Sequence, residues 1–411
     1  MAMVSSLAHT AAPQPSVPWR DDARVMALVG LAHGTSHFTH LLLPPLFPIW
    51  MQEFGLSFSQ VGLLMTVFFV VSGIGQASAG FVVDRLGARP VLFGSLTLFV
   101  LAALTASMAQ GYGWLIAVSV LAGLGNASFH PVDFSILNQR VSAPRLGHAY
   151  SVHGLTGNLG WAAAPVFLVG VSALTSWRTA YIAAAVVYGC VIALLLWQRA
   201  HLQTTVAIRQ PGNTRATDLA FMKQPVVWWC FAFFLLSTMT LAVIQTYSAS
   251  ILKAVHGVSL EAATLTLTAY MLCGAVGMAI GGFVAARSRH TDRVVGGSMA
   301  VGAMLMLLAA SSWLGGIGTM VVLAATGFAV GVAGPSRDMM IRRATPKGAT
   351  GRVYGTVYSG LDVGFAVSPL LFGAFMDRGW YGVTLAGAAC VLLLSVVAAL
   401  WVGRRTQEVS S

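Results

Sequence analysis

Apolar stretches of about 20 residues recur from one end of this chain to the other, and each is long enough to cross a bilayer. Few of them alternate with period two, which favours helices over a membrane barrel. Only 9% of the residues are charged, whereas a soluble globular protein carries roughly a quarter. So little polar surface cannot cover a water-facing fold. The chain reads as an all-α integral membrane protein.

Twelve candidate spans follow, at 25–50, 58–83, 91–110, 114–139, 147–172, 179–198, 226–252, 262–286, 294–314, 317–341, 352–376 and 381–402. The implied organisation is a disordered tail (1–23), a six-helix bundle (24–198), a polar linker (199–225), a second six-helix bundle (226–403) and a short tail (404–411). The first 20 residues are rich in Ala, Pro and Ser and lack a basic region followed by an apolar core, so no cleaved signal is expected.

The net charge of +11 does not sit on one surface, which argues against nucleic acid. Of the 23 Lys and Arg residues, 19 fall in the tails, the linker and the connections on the same side. Three (Arg178, Lys253, Arg378) fall on the other side, and Arg337 lies inside a span. That bias places both termini in the cytoplasm of a multi-pass protein of the inner (plasma) membrane. The cysteines have no metal or disulfide spacing and read as packing residues.

The chain repeats itself. Ser72–Arg85 matches Gly274–Arg287 at a shift of 202, with Gly75, Gly80, Phe81 and Arg85 meeting Gly277, Gly282, Phe283 and Arg287. At a shift of 204, Pro131, Gly147, Tyr150, Gly160 and Pro165 meet Pro335, Gly351, Tyr354, Gly364 and Pro369. Two similar six-helix halves of the same orientation are a transporter architecture.

Gly80-Phe81-Val82-Val83-Asp84-Arg85-Leu86-Gly87-Ala88-Arg89 resembles the signature loop of the major facilitator superfamily, Gly-x-x-x-Asp-Arg-x-Gly-x-Arg. Pro90 replaces the basic residue that usually follows, and Ala286 replaces the acid in the second copy. The twelve-span plan resembles that family as a whole, and Ser128–Ile136 is similar to the fosmidomycin-resistance-like exporters. The resemblance implies a gating role for Gly80, Asp84, Arg85, Gly87 and Arg89. The residues agree with it on physical grounds. An acid at a helix C-terminus is poorly placed alone, so Asp84 needs a positive partner, and the start of the eleventh span near Gly351-Arg352 is one. The alternative is a loop charge that only sets topology.

Polar groups inside spans are costly and usually face a cavity. Span 1 carries His33, His37 and His40, span 4 His130 and Asp133, span 5 His153 and Asn158, span 10 Arg337 and Asp338, and span 11 Asp362. Through the repeat, Asp133 aligns with Arg337 and Asn158 with Asp362. Asp133 and Arg337 are therefore expected to face each other across a cavity or to hold separate partners. Arg337 is a substrate anchor for an anion or is paired with Asp338 or Asp133. Asp133 and Asp362 are proton-coupling candidates, because a carboxylate within a membrane is costly to leave charged. His37, His40 and His130 are the second candidates, with hydrogen-bonded packing as the plain alternative. No metal site and no cofactor is expected. Gly277-x-x-x-Gly281 and Gly327-x-x-x-Gly331 read as close helix contacts, Pro44, Pro45 and Pro48 as a break ending span 1, and Trp50, Trp114, Trp177, Trp313 and Trp380 as an interfacial belt.

The reading is a secondary transporter, not an enzyme. It is expected to move a small organic molecule by alternating access, as a monomer, through proton-coupled efflux of the antiporter kind. Proton-coupled uptake of an organic acid is the alternative, and a non-transporting membrane sensor a further one.

Overall fold

The computed structural model describes residues 18–205, 220–288, 290–311, 313–344 and 350–408. The described residues contain helices and no strand. α1 (Trp19–His40) stops before the proline cluster. Pro44–Leu46 make a 3-10 turn, and the passage resumes as α2 (Phe47–Phe54). Then come α3 (Phe58–Leu86), α4 (Ala88–Ser107), α5 (Tyr112–Asn126), α6 (Phe129–Arg140), α7 (Leu146–Leu174) and α8 (Trp177–Trp197). The second half has α9 (Pro225–His256), α10 (Leu260–Arg287), α11 (Thr291–Ala310), α12 (Gly316–Ala344), α13 (Thr350–Asp377) and α14 (Tyr381–Glu408).

Among the described residues, eleven helical spans are long and apolar enough to cross a membrane, with α5 and α6 joined as one of them. α1 is not among the eleven. Arg20, Asp21, Asp22 and Arg24 at its start and three histidines near its end dilute its apolar content. It still packs along α7 and completes the twelve-passage plan.

Local signals explain where the helices begin. Ser57 caps α3 in a reciprocal box with Gln60, and Ser259 caps α10 by accepting from the Ala262 amide. Two residues before each cap stands a glycine with positive φ, Gly55 at 64° and Gly257 at 62°. These glycines end α2 and α9 and are themselves related by the 202-residue shift, so the repeat extends into the turns.

At the start of α1, Asp22 is fully buried. It accepts hydrogen bonds from the Ser142 amide (3.2 Å), the Ser142 hydroxyl and Arg145 Nη1 (2.8 Å). Burial pushes its carboxyl up, but these donors outweigh it and hold the group below the usual carboxylate range.

Helices pack where side chains are absent. A Cβ on Gly327 or Gly331 of α12 would collide with the Tyr270 or Gly274 carbonyl of α10, and one on Gly277 or Gly281 with the Phe328 or Val332 carbonyl. The two glycine pairs read from the sequence thus lie against each other's helices. Two of the tryptophans assigned to a belt are corrected. Trp50 and Trp177 are 0% and 5% exposed, and Trp177 Nε1 donates to Glu53 Oε2 at 2.6 Å. Trp114, Trp313 and Trp380 remain exposed.

The halves meet along α3 with α13 and α7 with α10. The α3–α13 seam is closed at the end of the molecule opposite the chain termini. There Asp377, at the end of α13, accepts from the Phe58 amide (2.6 Å), the Ser59 amide (3.0 Å) and the Ser59 hydroxyl at the start of α3. The carboxylate meets free N–H groups and the positive end of the helix dipole. Tyr247 Oη donates to the Pro369 carbonyl (2.6 Å), and a Cβ on Gly62 would lie 2.6 Å from that same oxygen. Thr66 Oγ1 donates to the Ala366 carbonyl (2.6 Å), and Phe69 stacks on Phe365 at 4.4 Å. Asp377→Ala removes the latch, and losing a helix cap costs about 1 kcal/mol. A cysteine introduced at Thr66 should then label faster with a thiol reagent applied from the Asp377 end. Unchanged labelling would show that the latch does not hold the seam.

Candidate functional site

The last described contact of the seam lies about two thirds of the way along α3. Gln76 Nε2 donates to Asp362 Oδ2 at 3.4 Å across the two halves, and a Cβ on Gly73 would lie 3.5 Å from Asp362 Cβ. One turn further on, a Cβ on Gly80 would meet nothing within 4 Å. Gln76 Oε1 accepts only, so His130 Nδ1, 3.0 Å away, carries the proton and donates to it. The result is a relay of hydrogen bonds from His130 on α6 through Gln76 on α3 to Asp362 on α13.

Beside this relay lies a cluster of imidazoles. The break between α5 and α6 falls at Ala127-Ser128, just before Pro131. It turns α6 so that Asp133, which is 0% exposed, points at α1 and α7. His33 Nδ1 lies 3.0 Å and His153 Nε2 3.1 Å from Asp133 Oδ2. The His33 and His153 rings stack at 3.4 Å, and His37 sits 4.4 Å from His33. The rings fit because α1 and α7 approach through glycines. A Cβ on Gly157 would lie 2.8 Å from the His37 ring and 3.1 Å from His33 Nε2, and one on Gly160 would collide with the Gly34 carbonyl.

His40 belongs to a second knot. Asn126 Nδ2 donates to Ser72 Oγ (2.8 Å), and Ser36 Oγ donates to Asn126 Oδ1 (2.6 Å). His40 Nε2 is 2.9 Å from the same oxygen and must therefore donate. Trp161 Nε1 donates to His40 Nδ1 at 3.3 Å, so that nitrogen holds its lone pair. Both ring nitrogens are engaged in the neutral form. The hydrogen-bonded packing alternative describes His40.

The other expected residues lie apart. Arg337 does not face Asp133. Its Nε donates to Asp338 Oδ1 at 2.9 Å, and its guanidinium lies over Phe234 at 4.9 Å. The repeat fails here for a local reason: α12 runs unbroken through Pro335, whereas the first copy is interrupted at the matching place. Asn158 Nδ2 donates to the Gly154 carbonyl of its own helix. Gly87 adopts φ +81° at the α3–α4 corner, a conformation that accounts for a glycine in the signature loop. Arg85 is exposed and Arg89 partly buried. The side chains of Asp84 and Arg352 lie outside the described residues.

Sequence reasoning left His33 and His153 out of the site and missed Gln76, Asn126 and Trp161. The i, i+4 spacing of His33 and His37 was the available signal for the first. Gln76, Asn126 and Trp161 carry no charge and gave none.

The sequence pattern of the Major Facilitator Superfamily matches residues 28–336 and 250–411. The chain belongs to that superfamily. It is similar to the probable L-galactonate transporter of Escherichia coli K12, 25% identical over 61% of this chain and 57% of that protein. That match spans little more than half the relative's length. It is also similar to the fosmidomycin resistance protein of Escherichia coli K12, 23% identical over 71% of this chain and 72% of that protein. Among solved structures, a bacterial homologue of the human lysosomal transporter Spinster, inward-facing and unoccupied, superposes with a TM-score of 0.75. It covers 95% of this chain and 99% of that one at 14% identity, which shows the fold. This superfamily member has the architecture of a small-solute transporter.

The glycine contacts make the site testable. Gly157→Ala should displace the His37 and His33 rings and cost about 1–3 kcal/mol of stability. Gly154→Ala, where a Cβ meets nothing within 4 Å, should be neutral or gain up to about 1 kcal/mol. Chemical unfolding of both variants checks the contrast.

Proposed function

We propose that this protein exports a small organic solute in exchange for protons, by rocking its two halves about the α3–α13 and α7–α10 seams. The observation that carries this reading is Asp362. It is a carboxylate inside a candidate span, at the last described contact of the closed seam, held by an amide of the other half. Among the described residues it forms no ion pair, and the facing groups are Gln76 and, behind it, His130. Bringing the halves together or apart changes what Asp362 touches, and so couples its proton to the conformational cycle.

With the termini placed in the cytoplasm by the charge bias, the closed seam faces outward and the conformation is inward-facing, the state in which the Spinster homologue was also solved. The protein then works as a monomer in the inner membrane. Asp84 supplies the matching latch on the cytoplasmic side. Asp377 closes the outer end by capping α3 from the C-terminus of α13. Asp84, at the C-terminus of α3, stands in the same relation to the N-terminus of α13. Gly80 is where a helix arrives when that end closes. Export follows the likeness to the fosmidomycin resistance protein. Uptake of an organic acid is the second reading, and the likeness to a probable L-galactonate transporter favours it.

In proteoliposomes with a pH-sensitive dye inside, a panel of small organic acids and lipophilic cations is presented across a pH gradient. The wild type should move protons with one class. Asp362→Asn should abolish solute-linked proton movement while counterflow of the labelled solute persists. Proton movement that survives in Asp362→Asn would remove Asp362 from coupling. Full transport by Asp84→Asn would remove the second latch.

A further inference from the structure

The His33–Asp133–His153 cluster lies beside the His130–Gln76–Asp362 relay and holds none of its hydrogen bonds, and its donor set suits a different ligand. We propose that these three side chains bind a divalent transition-metal ion of the zinc type.

The donor set comes first. Two imidazole nitrogens and a carboxylate oxygen are the ligands that zinc, cobalt and nickel accept. His33 Nδ1, His153 Nε2 and Asp133 Oδ2 all lie within 4.8 Å of one another. The two His–Asp separations are 3.0 and 3.1 Å. Ligand bonds of about 2.0–2.1 Å in a tetrahedron put neighbouring donor atoms roughly 3.3 Å apart. Those two edges are within a few tenths of an ångström of that spacing, and the stacked His33 and His153 rings turn out of their 23° stack to aim both lone pairs at one ion.

The second observation concerns unused donors. Asp133 Oδ1 is buried without a hydrogen-bond partner, in a side chain with no exposed surface. His37 Nδ1 is likewise unpartnered, on the ring next to His33. A buried carboxylate oxygen left unpaired is costly, and a cation at the cluster would lower that cost. His37 stands outside the group of three donors that lie within 4.8 Å of one another. His40 is not a ligand, because both its nitrogens are engaged.

The three ligands come from α1, α6 and α7, all in the first half. An ion there ties those helices together without crossing the seam. Ion retention is therefore measured without reference to Asp362, although the His130 ring of the relay lies 5.6 Å from the His33 ring.

The test uses the full-length protein without a histidine tag, in nanodiscs, dialysed against Zn2+ or Co2+ and then against metal-free buffer. The wild type should retain about one ion per chain, melt at a higher temperature with it, and show the visible absorption of tetrahedral cobalt. His153→Gln keeps an amide donor for Asp133 and should lose most of the bound ion, as should Asp133→Asn. His148→Gln, at an exposed position, should retain it. Both site variants are checked for a monodisperse elution profile first. Wild-type protein that retains no ion after dialysis would overturn the proposal whatever the variants do. So would an ion retained equally by His153→Gln and Asp133→Asn.

Discussion

Backbone touching backbone is the contact on which this structure rests. In a bilayer the lipid tails are as apolar as leucine, so helices gain little from hiding apolar side chains against each other. They gain from approaching closely, and here they approach through glycine. Gly327 and Gly331 let α12 lie on α10, and Gly34 and Gly160 let α1 lie on α7. The α1–α7 contact positions the polar site. It leaves a gap one residue wide at Gly157, and the His33 and His37 rings occupy it. A larger side chain there would separate the helices and the imidazoles together.

The seam between halves follows a different rule. Its contacts form a ladder along α3 and α13: a helix cap at Asp377, close carbonyl approaches at Gly62 and Gly373, a threonine hydrogen bond at Thr66, stacked rings at Phe69 and Phe365, and an amide–carboxylate contact at Gln76. Three of these rungs are polar contacts, two of them made to backbone groups. Such contacts are modest individually and break without exposing a large apolar surface. That suits an interface that must open. The glycine contacts within each half have no such replacement, so each half is expected to move as a unit.

The sequence showed the passages and the repeat, because apolar length and a fixed shift survive without any knowledge of packing, whereas the expected linker falls largely outside the described residues. It showed the glycine pairs for the same reason. It did not separate a histidine held by an amide from one paired with a carboxylate. His40 and His33 sit on one helix with similar exposure, and only their partners, Asn126 and Asp133, tell them apart. Those partners lie on α5 and α6, 86 and 100 residues away in the chain. Trp50 and Trp177 were misplaced for a related reason. Trp50 on α2 packs against Trp177 and Tyr181 of α8, a contact that hydropathy does not register.

The repeat also shows where symmetry was given up. The turns at Gly55 and Gly257 and their serine caps are kept at a constant shift. At the next layer the copies part company. The first half breaks its helix before Pro131 and gathers four histidines around Asp133. The second keeps α12 whole through Pro335, and Arg337 closes on its own neighbour Asp338 and on Phe234. The first half carries buried imidazole and carboxylate at this level, and the second a self-neutralised arginine over an aromatic face. The frame requires both halves to share helix lengths and turns, since the seam works only if they match. Nothing requires them to share a polar layer, so the two halves are free to differ there.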